Sequence, residues 1–151
     1  AAAVQLALDG AEKLHISNRR SRSWNAAREM VDKINRETSC RADLTDLEDD
    51  GELAKRIGSS DLLVNATSVG MAPHEDESPL KDVSLLRPEL VVSDIIYHPR
   101  QTLLLRSASE RGCRTFNGMD MLLYQGAAAF RLWTGREMPV ERVRRAVFAK
   151  Q

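Results

Sequence analysis

The chain has 151 residues, enough for one domain with a real core and too few for two ordinary ones. Hydrophobic residues make up 42% and charged residues 29%, as in globular chains, while Lys+Arg and Asp+Glu each number 22. Zero net charge argues against nucleic acid as the main partner, because a phosphate backbone demands a basic field. No apolar run approaches the ~18 residues that cross a bilayer, so no membrane partner is expected.

The opening stretch from Ala1 to Leu8 is apolar but short and carries no charged leader, so it does not read as a signal peptide. Cys40 and Cys113 form no CxxC pair. They read as reduced, partly buried thiols of a cytoplasmic protein.

Residues 1–9 read as the body of a helix, broken by Asp9-Gly10. Lys13 to Ser17 reads as a strand and Asn18-Arg19-Arg20-Ser21 as a turn. Trp24, Ala27, Val31 and Ile34 recur at helical spacing, which predicts an amphipathic helix over 22–37. Thr38 to Leu44 reads as a strand, Asp46 to Asp50 as an acidic loop, and Leu53 to Ile57 as a short helix. Asp61 to Asn65 is almost continuously apolar, the pattern of a parallel strand buried on both faces. A long polar loop runs from Thr67 to Leu80, and Leu90 to Ile96 is a second strand of the buried type. Tyr97-His98-Pro99 turns the chain into a helix over 101–111, ended by Gly112. Arg114 to Phe116 is a brief strand, 119–133 a helix stopped by Thr134-Gly135, and Pro139 opens a last helix.

Strands separated by helices predict an α/β fold, a Rossmann-like doubly wound parallel sheet with helices on both faces. Such a sheet opens with a strand and a Gly-rich turn. Both are missing here, since the sequence begins inside the helix that should follow them.

Ligands of open α/β sheets bind beyond the C-terminal ends of the strands, so each strand end is a candidate site. The first holds Asn18, Arg19, Arg20, Ser21 and Arg22, with no carboxylate. At this point of a dinucleotide fold an acidic residue holds a free ribose 2′-hydroxyl, whereas arginines accept a 2′-phosphate through bidentate hydrogen bonds. The composition favours NADP over NAD. Cations also oppose the dipole at a helix N-terminus, which makes the cluster costly without a ligand.

Asn65 to Met71 ends the next strand with small polar residues and Gly70, which permit close approach to the backbone. Gly118, Met121 and Gln125 lie three and four apart and share a helix face. Met could pack on a flat ring and Gln could hydrogen-bond a polyhydroxylated substrate. Spacing alone nevertheless reads Met121 as core and Gln125 as surface. His15, His74 and His98 show neither metal spacing nor a paired nucleophile, so they read as loop or strand-end residues and no metal site is expected. Arg142, Arg144, Arg145 and Lys150 read as the solvated face of the last helix, opposite Val140, Val143 and Val147.

Five segments in this order resemble the C-terminal NAD(P)-binding half of the shikimate dehydrogenase family, closest to its quinate/shikimate dehydrogenase branch. They are Asn18-Arg19-Arg20, Asn65 to Met71, Ser84 to Leu90, Asp94 to Pro99, and Asn117 to Ala127; Trp133-Thr134-Gly135 closes the pattern. The resemblance implies one NAD(P)-binding domain over 1–151, preceded in the parent protein by an N-terminal substrate domain. Asn18 and Arg19 would lie against the adenosine ribose and any 2′-phosphate. Thr67, Ser68 and Val69 would line the cofactor groove, with Ile95 beside the nicotinamide. Gly118 would hold the carboxamide through its carbonyl, Met121 would pack near the nicotinamide, and Tyr97 and Gln125 would reach the substrate. The implied reaction is reversible hydride transfer between NADP or NAD and shikimate/3-dehydroshikimate or quinate/3-dehydroquinate, a step of aromatic metabolism. The lysine and aspartate that manage the proton belong to the substrate domain, so no catalytic residue is expected in this chain and the fragment alone should be inactive. A homodimer is compatible with the sequence.

The chain departs from the family at Asp120, where a second glycine is common, and at Ser21-Arg22, where the quinate branch often has an acidic residue that supports NAD. A non-catalytic nucleotide-binding module is the alternative reading; Arg19 and Arg20 speak against a methyltransferase. Without a first strand, the second and fourth strands lose their shared neighbour, which predicts poor stability for these residues alone.

Overall fold

The computed structural model describes residues 1–148. They form two compact units, Ala1–Ser60 and Asp61 onward. In both, parallel strands alternate with helices, the α/β architecture expected.

The first unit contains α1 (Ala2–Leu8), β1 (Lys13–Asn18), α2 (Trp24–Glu37), β2 (Arg41–Asp46) and α3 (Asp50–Gly58). β1 and β2 pair in parallel, with Lys13 opposite Arg41 and Asn18 opposite Asp46. Ala27, Val31 and Ile34 make the buried stripe of α2. Ile34 joins Ala7 and Cys40 in a core onto which Leu14, Ile16, Met30 and Ala42 pack. β2 begins three residues later than its sequence suggests, because Thr38 terminates α2. Its hydroxyl donates to the Ile34 carbonyl at 2.9 Å and accepts from the Cys40 N–H at 3.1 Å. α3 begins earlier than expected for a related reason. Asp49 is its cap, accepting from the Glu52 N–H at 3.0 Å, and Asp50 and Glu52 occupy the first turn, where carboxylates suit the helix dipole. His15 lies within β1 rather than at a strand end, opposite Asp43, and its Nδ1 is 3.0 Å from both carboxylate oxygens. Arg56 of α3 pairs with the same carboxylate.

The second unit contains β3 (Leu62–Asn65), β4 (Val91–Asp94), α4 (Leu103–Glu110), β5 (Arg114–Phe116), α5 (Met119–Thr134) and α6 (Val140–Val143). A 3₁₀ turn at Val83–Leu85 precedes β4, and a π turn at Arg144–Phe148 follows α6. The strand order is β3-β4-β5, all parallel. Central β4 is buried on one face: Val92 is fully buried and Asp94 nearly so, whereas Val91 and Ser93 are half-buried, and Leu90 just before the strand is fully buried. β3 is not buried on both faces. It is an edge of its sheet, and Leu62 is 39% exposed while Asn65 is buried. α4 packs Leu104, Leu105 and Ala108 inward, and its cap Thr102 accepts from the Leu105 N–H at 3.3 Å. Gly112, at φ +84, supplies the left-handed turn after α4. Among the described residues β1 and β3 each have a ladder on one edge only.

Candidate functional site

In the first unit the end of β1 presents Asn18 and the turn Arg19 to Arg22. Asn18 is half-buried; its side-chain amide donates to Ser23 Oγ at 3.1 Å and its carbonyl accepts from the Leu47 N–H at 3.0 Å. Arg19, Arg20 and Arg22 are exposed. The parallel register adds a residue that sequence order hides, because Asp46 stands opposite Asn18 at the end of β2. The turn therefore does have a neighbouring carboxylate, contrary to expectation. Arg20 Nε donates to Asp46 Oδ2 at 2.8 Å, and its guanidinium lies 4.9 Å from the centre of the Trp24 ring. Arg19 and Arg22 make no side-chain ion pair or hydrogen bond among the described residues. Two guanidinium groups thus stand in solvent, and a third is already held.

In the second unit three backbone segments are bonded in series, through Asn65 to Ile95 and through Ile96 to Gly118. After β3, Thr67 and Ser68 are exposed and Val69 is half-buried. After β4, Ile95 is half-buried, Ile96 is buried and Tyr97 is 48% exposed. Gly118, the N-cap of α5, donates its N–H to the Ile96 carbonyl at 2.9 Å. A Cβ on Gly118 would lie 2.0 Å from the Ile95 carbonyl oxygen, so this position admits no side chain. Gly70, at φ +96, turns the chain out of the β3 exit.

Met121 and Gln125 share the exposed face of α5. Met121 is 50% exposed, which corrects its reading as core. Asp120 pairs with Arg144, so the side chain that replaces the family's second glycine has an ionic partner. That pairing also corrects the reading of Arg144 as part of a solvated face. The Asp120 carboxylate raises the Arg144 pKa. Arg142 and Arg145 belong to the same C-terminal segment; Lys150 lies outside the described residues.

Sequence reasoning assigned no role to three buried polar residues: Asn65, Asp94 and Thr102, exposed by 4%, 1% and 1%. Asp94 Oδ2 accepts from Asn65 Nδ2 at 3.1 Å and from Thr102 Oγ1 at 2.9 Å, while Oδ1 accepts from the Ile96 N–H at 3.0 Å. A carboxylate inside an apolar strand was the available signal, because aspartate is seldom fully buried unless its oxygens are satisfied. Among the described residues no cluster of His, Cys, Asp and Glu could hold a metal ion, and no helix is long and apolar enough to cross a membrane.

Residues 118–148 match the family model described as the shikimate 5′-dehydrogenase C-terminal domain. The shikimate dehydrogenase (NADP(+)) of Listeria innocua is 47% identical over 145 residues, covering 96% of this chain and 50% of that protein. The quinate/shikimate dehydrogenase of Escherichia coli O139:H28 is 40% identical over 95% of this chain and 50% of its own length. The crystal structure of shikimate 5-dehydrogenase from Listeria monocytogenes, in complex with shikimate and NAD, superposes with a TM-score of 0.93 at 46% identity. It covers 97% of this chain and 51% of that one. The chain thus spans about half the length of the relatives it matches. The order of its strand-end segments, the parallel α/β architecture and these matches agree: over nearly its whole length the chain is similar to the C-terminal half of shikimate dehydrogenases.

Proposed function

We propose that these residues are the nucleotide-binding half of a dehydrogenase that moves hydride reversibly between a nicotinamide nucleotide and the ring carbon of shikimate or quinate. The observation that carries this reading is a series of bonds joining three strand-end segments, with the Ile95 N–H on the Asn65 carbonyl and the Gly118 N–H on the Ile96 carbonyl, and with Thr67, Ser68 and Tyr97 exposed. A nucleotide fits what surrounds it. The Gly118 backbone lies against Ile95 where no side chain could, and Met121 presents half of its surface on the adjoining helix.

Within this reading Arg19 and Arg22 offer paired N–H donors to a 2′-phosphate, beside Asn18 at the adenosine ribose. Arg20 contributes less, because Asp46 already accepts from it. The arginines favour NADP, whereas Asp46 brings to the turn a carboxylate of the kind that suits the free hydroxyl of NAD. Thr67, Ser68 and Val69 line the nucleotide groove, Ile95 and Met121 enclose the nicotinamide, and Gly118 holds its carboxamide. The nicotinamide supplies the hydride chemistry. Tyr97 and Gln125 orient the hydroxylated acid by hydrogen bonds. The groups that take and return the proton lie in the complete protein outside these residues, so the chain by itself turns nothing over.

The test is an assay of the complete protein with NADP and NAD, each with shikimate and with quinate. Turnover in at least one pairing is expected, faster with NADP. A folded protein that binds nucleotide but is inert in all four would favour a non-catalytic module instead.

A further inference from the structure

We infer that Asp94, Asn65 and Thr102 are positioning residues for the nucleotide: their buried network sets the mutual geometry of the three backbone segments assigned to it. The inference rests on the functional reading above.

The network is directional. The Asn65 amide is assigned at both ends. Nδ2 donates to Asp94 Oδ2 at 3.1 Å and to the Val69 carbonyl at 3.2 Å. Oδ1 accepts from the Thr67 N–H at 3.0 Å and from the Thr67 hydroxyl at 2.7 Å. Turning the amide over would set donors against donors at Thr67 and acceptors against acceptors at Asp94 and Val69. Thr67 Oγ1 in turn accepts from the Val69 N–H at 3.1 Å. Asp94 therefore reaches the exposed Thr67–Val69 segment through an unbroken series of oriented bonds.

On its other side Asp94 Oδ1 accepts from the Ile96 N–H, and the Ile96 carbonyl accepts from Gly118. The Asn65 carbonyl also accepts from the Ile95 N–H at 3.1 Å, so both strand exits are tied twice. Gly118 sits against Ile95 with no space for a Cβ, and a shift of the β4 exit is passed to the start of α5. Thr102 anchors the carboxylate from the opposite direction. Its hydroxyl donates to Asp94 while accepting from the Leu105 N–H of α4. Three oriented donors on one buried carboxylate fix its rotamer and, with it, the segments attached to it. Groups that hold ligand-contacting atoms in productive geometry alter affinity without touching the ligand, because small misplacements are costly.

The experiment uses the complete protein and compares Thr102→Val, which keeps the shape and removes the hydroxyl, with Thr102→Ser, which keeps the hydroxyl. The dissociation constant for NADP is measured by titration at a temperature where each variant is fully folded. Thr102→Val should weaken binding about tenfold, and Thr102→Ser should restore most of it. If Thr102→Val does not fold, Asp94→Asn, which keeps the side-chain shape and sets an N–H donor against at least one of the three donors, takes its place with the same expected loss. Nucleotide affinity equal to that of the unsubstituted protein, with only the melting temperature lowered, overturns the inference and leaves the functional reading intact. An unsubstituted protein that binds neither NADP nor NAD overturns both.

Discussion

After β1, Arg19 and Arg22 stand in solvent with no ionic partner among the described residues, and Arg20 leans on Asp46 and Trp24. After β3 and β4, the side chains that organise the site are buried and satisfied, and what reaches solvent is the segment they hold. The first region presents charge to solvent and the second is a buried, satisfied network. Exposed charges act at a distance, are screened by salt and tolerate small movements. A buried hydrogen-bond network acts through geometry, is little affected by salt and fails when one donor is lost. Substitutions in the two regions should therefore differ in size and in ionic-strength dependence.

The largest effect is expected from removing the chain from its surroundings. β1 and β3 each leave one edge without a ladder among the described residues, and unpaired strand edges are poorly stable in water. The 151 residues alone should melt without a cooperative transition. A sharp, reversible calorimetric transition would contradict this.

Next comes Gly118→Ala in the complete protein. The added methyl meets the Ile95 carbonyl oxygen at 2.0 Å, so backbone has to shift. Overpacking of this kind costs about 1–3 kcal/mol, and the displaced segment is the one assigned to the nicotinamide. Chemical denaturation and nucleotide titration should both register the loss, with NAD and NADP affected alike.

The arginines should behave differently. Arg19→Ala or Arg22→Ala should weaken NADP about tenfold and leave NAD nearly unchanged, because a charge-assisted bond to the ribose 2′-phosphate has no counterpart in NAD. Arg20→Ala should do less, and Asp46→Asn should tighten NADP by freeing Arg20. Parallel titrations with both nucleotides measure each difference; equal losses for NAD and NADP would remove the arginines from 2′-phosphate recognition.

The smallest effect concerns the thiols. Burial raises the pKa of Cys40 and of Cys113 above the ordinary 9.0, so the unfolded chain gives up these protons first. Their contribution to stability is complete below pH 9.0 and falls as pH rises further. Stability curves between neutral and alkaline pH should show the decline, reduced in Cys40→Ala.

The two regions were also unequally legible. Helical spacing of Ala27, Val31 and Ile34 locates α2, and the composition of Leu90 to Ile96 locates β4, because both patterns are local. The arginine turn is legible for the same reason. Asp46 is not, since it becomes a neighbour of Arg20 only through parallel pairing of strands 28 positions apart in register. Asn65, Asp94 and Thr102 are likewise brought together by the β3–β4 pairing and the start of α4. Exposure of Leu62 depends on β3 being an edge of its sheet, which no run of apolar residues encodes.

The most direct test of nucleotide recognition is a titration of the complete protein with NADP and with NAD at low and at high ionic strength. NADP should bind more tightly at low salt, and its advantage over NAD should shrink as salt rises, because Arg19 and Arg22 are exposed. Failure to bind either nucleotide, or identical affinities and salt dependence for both, would contradict the account.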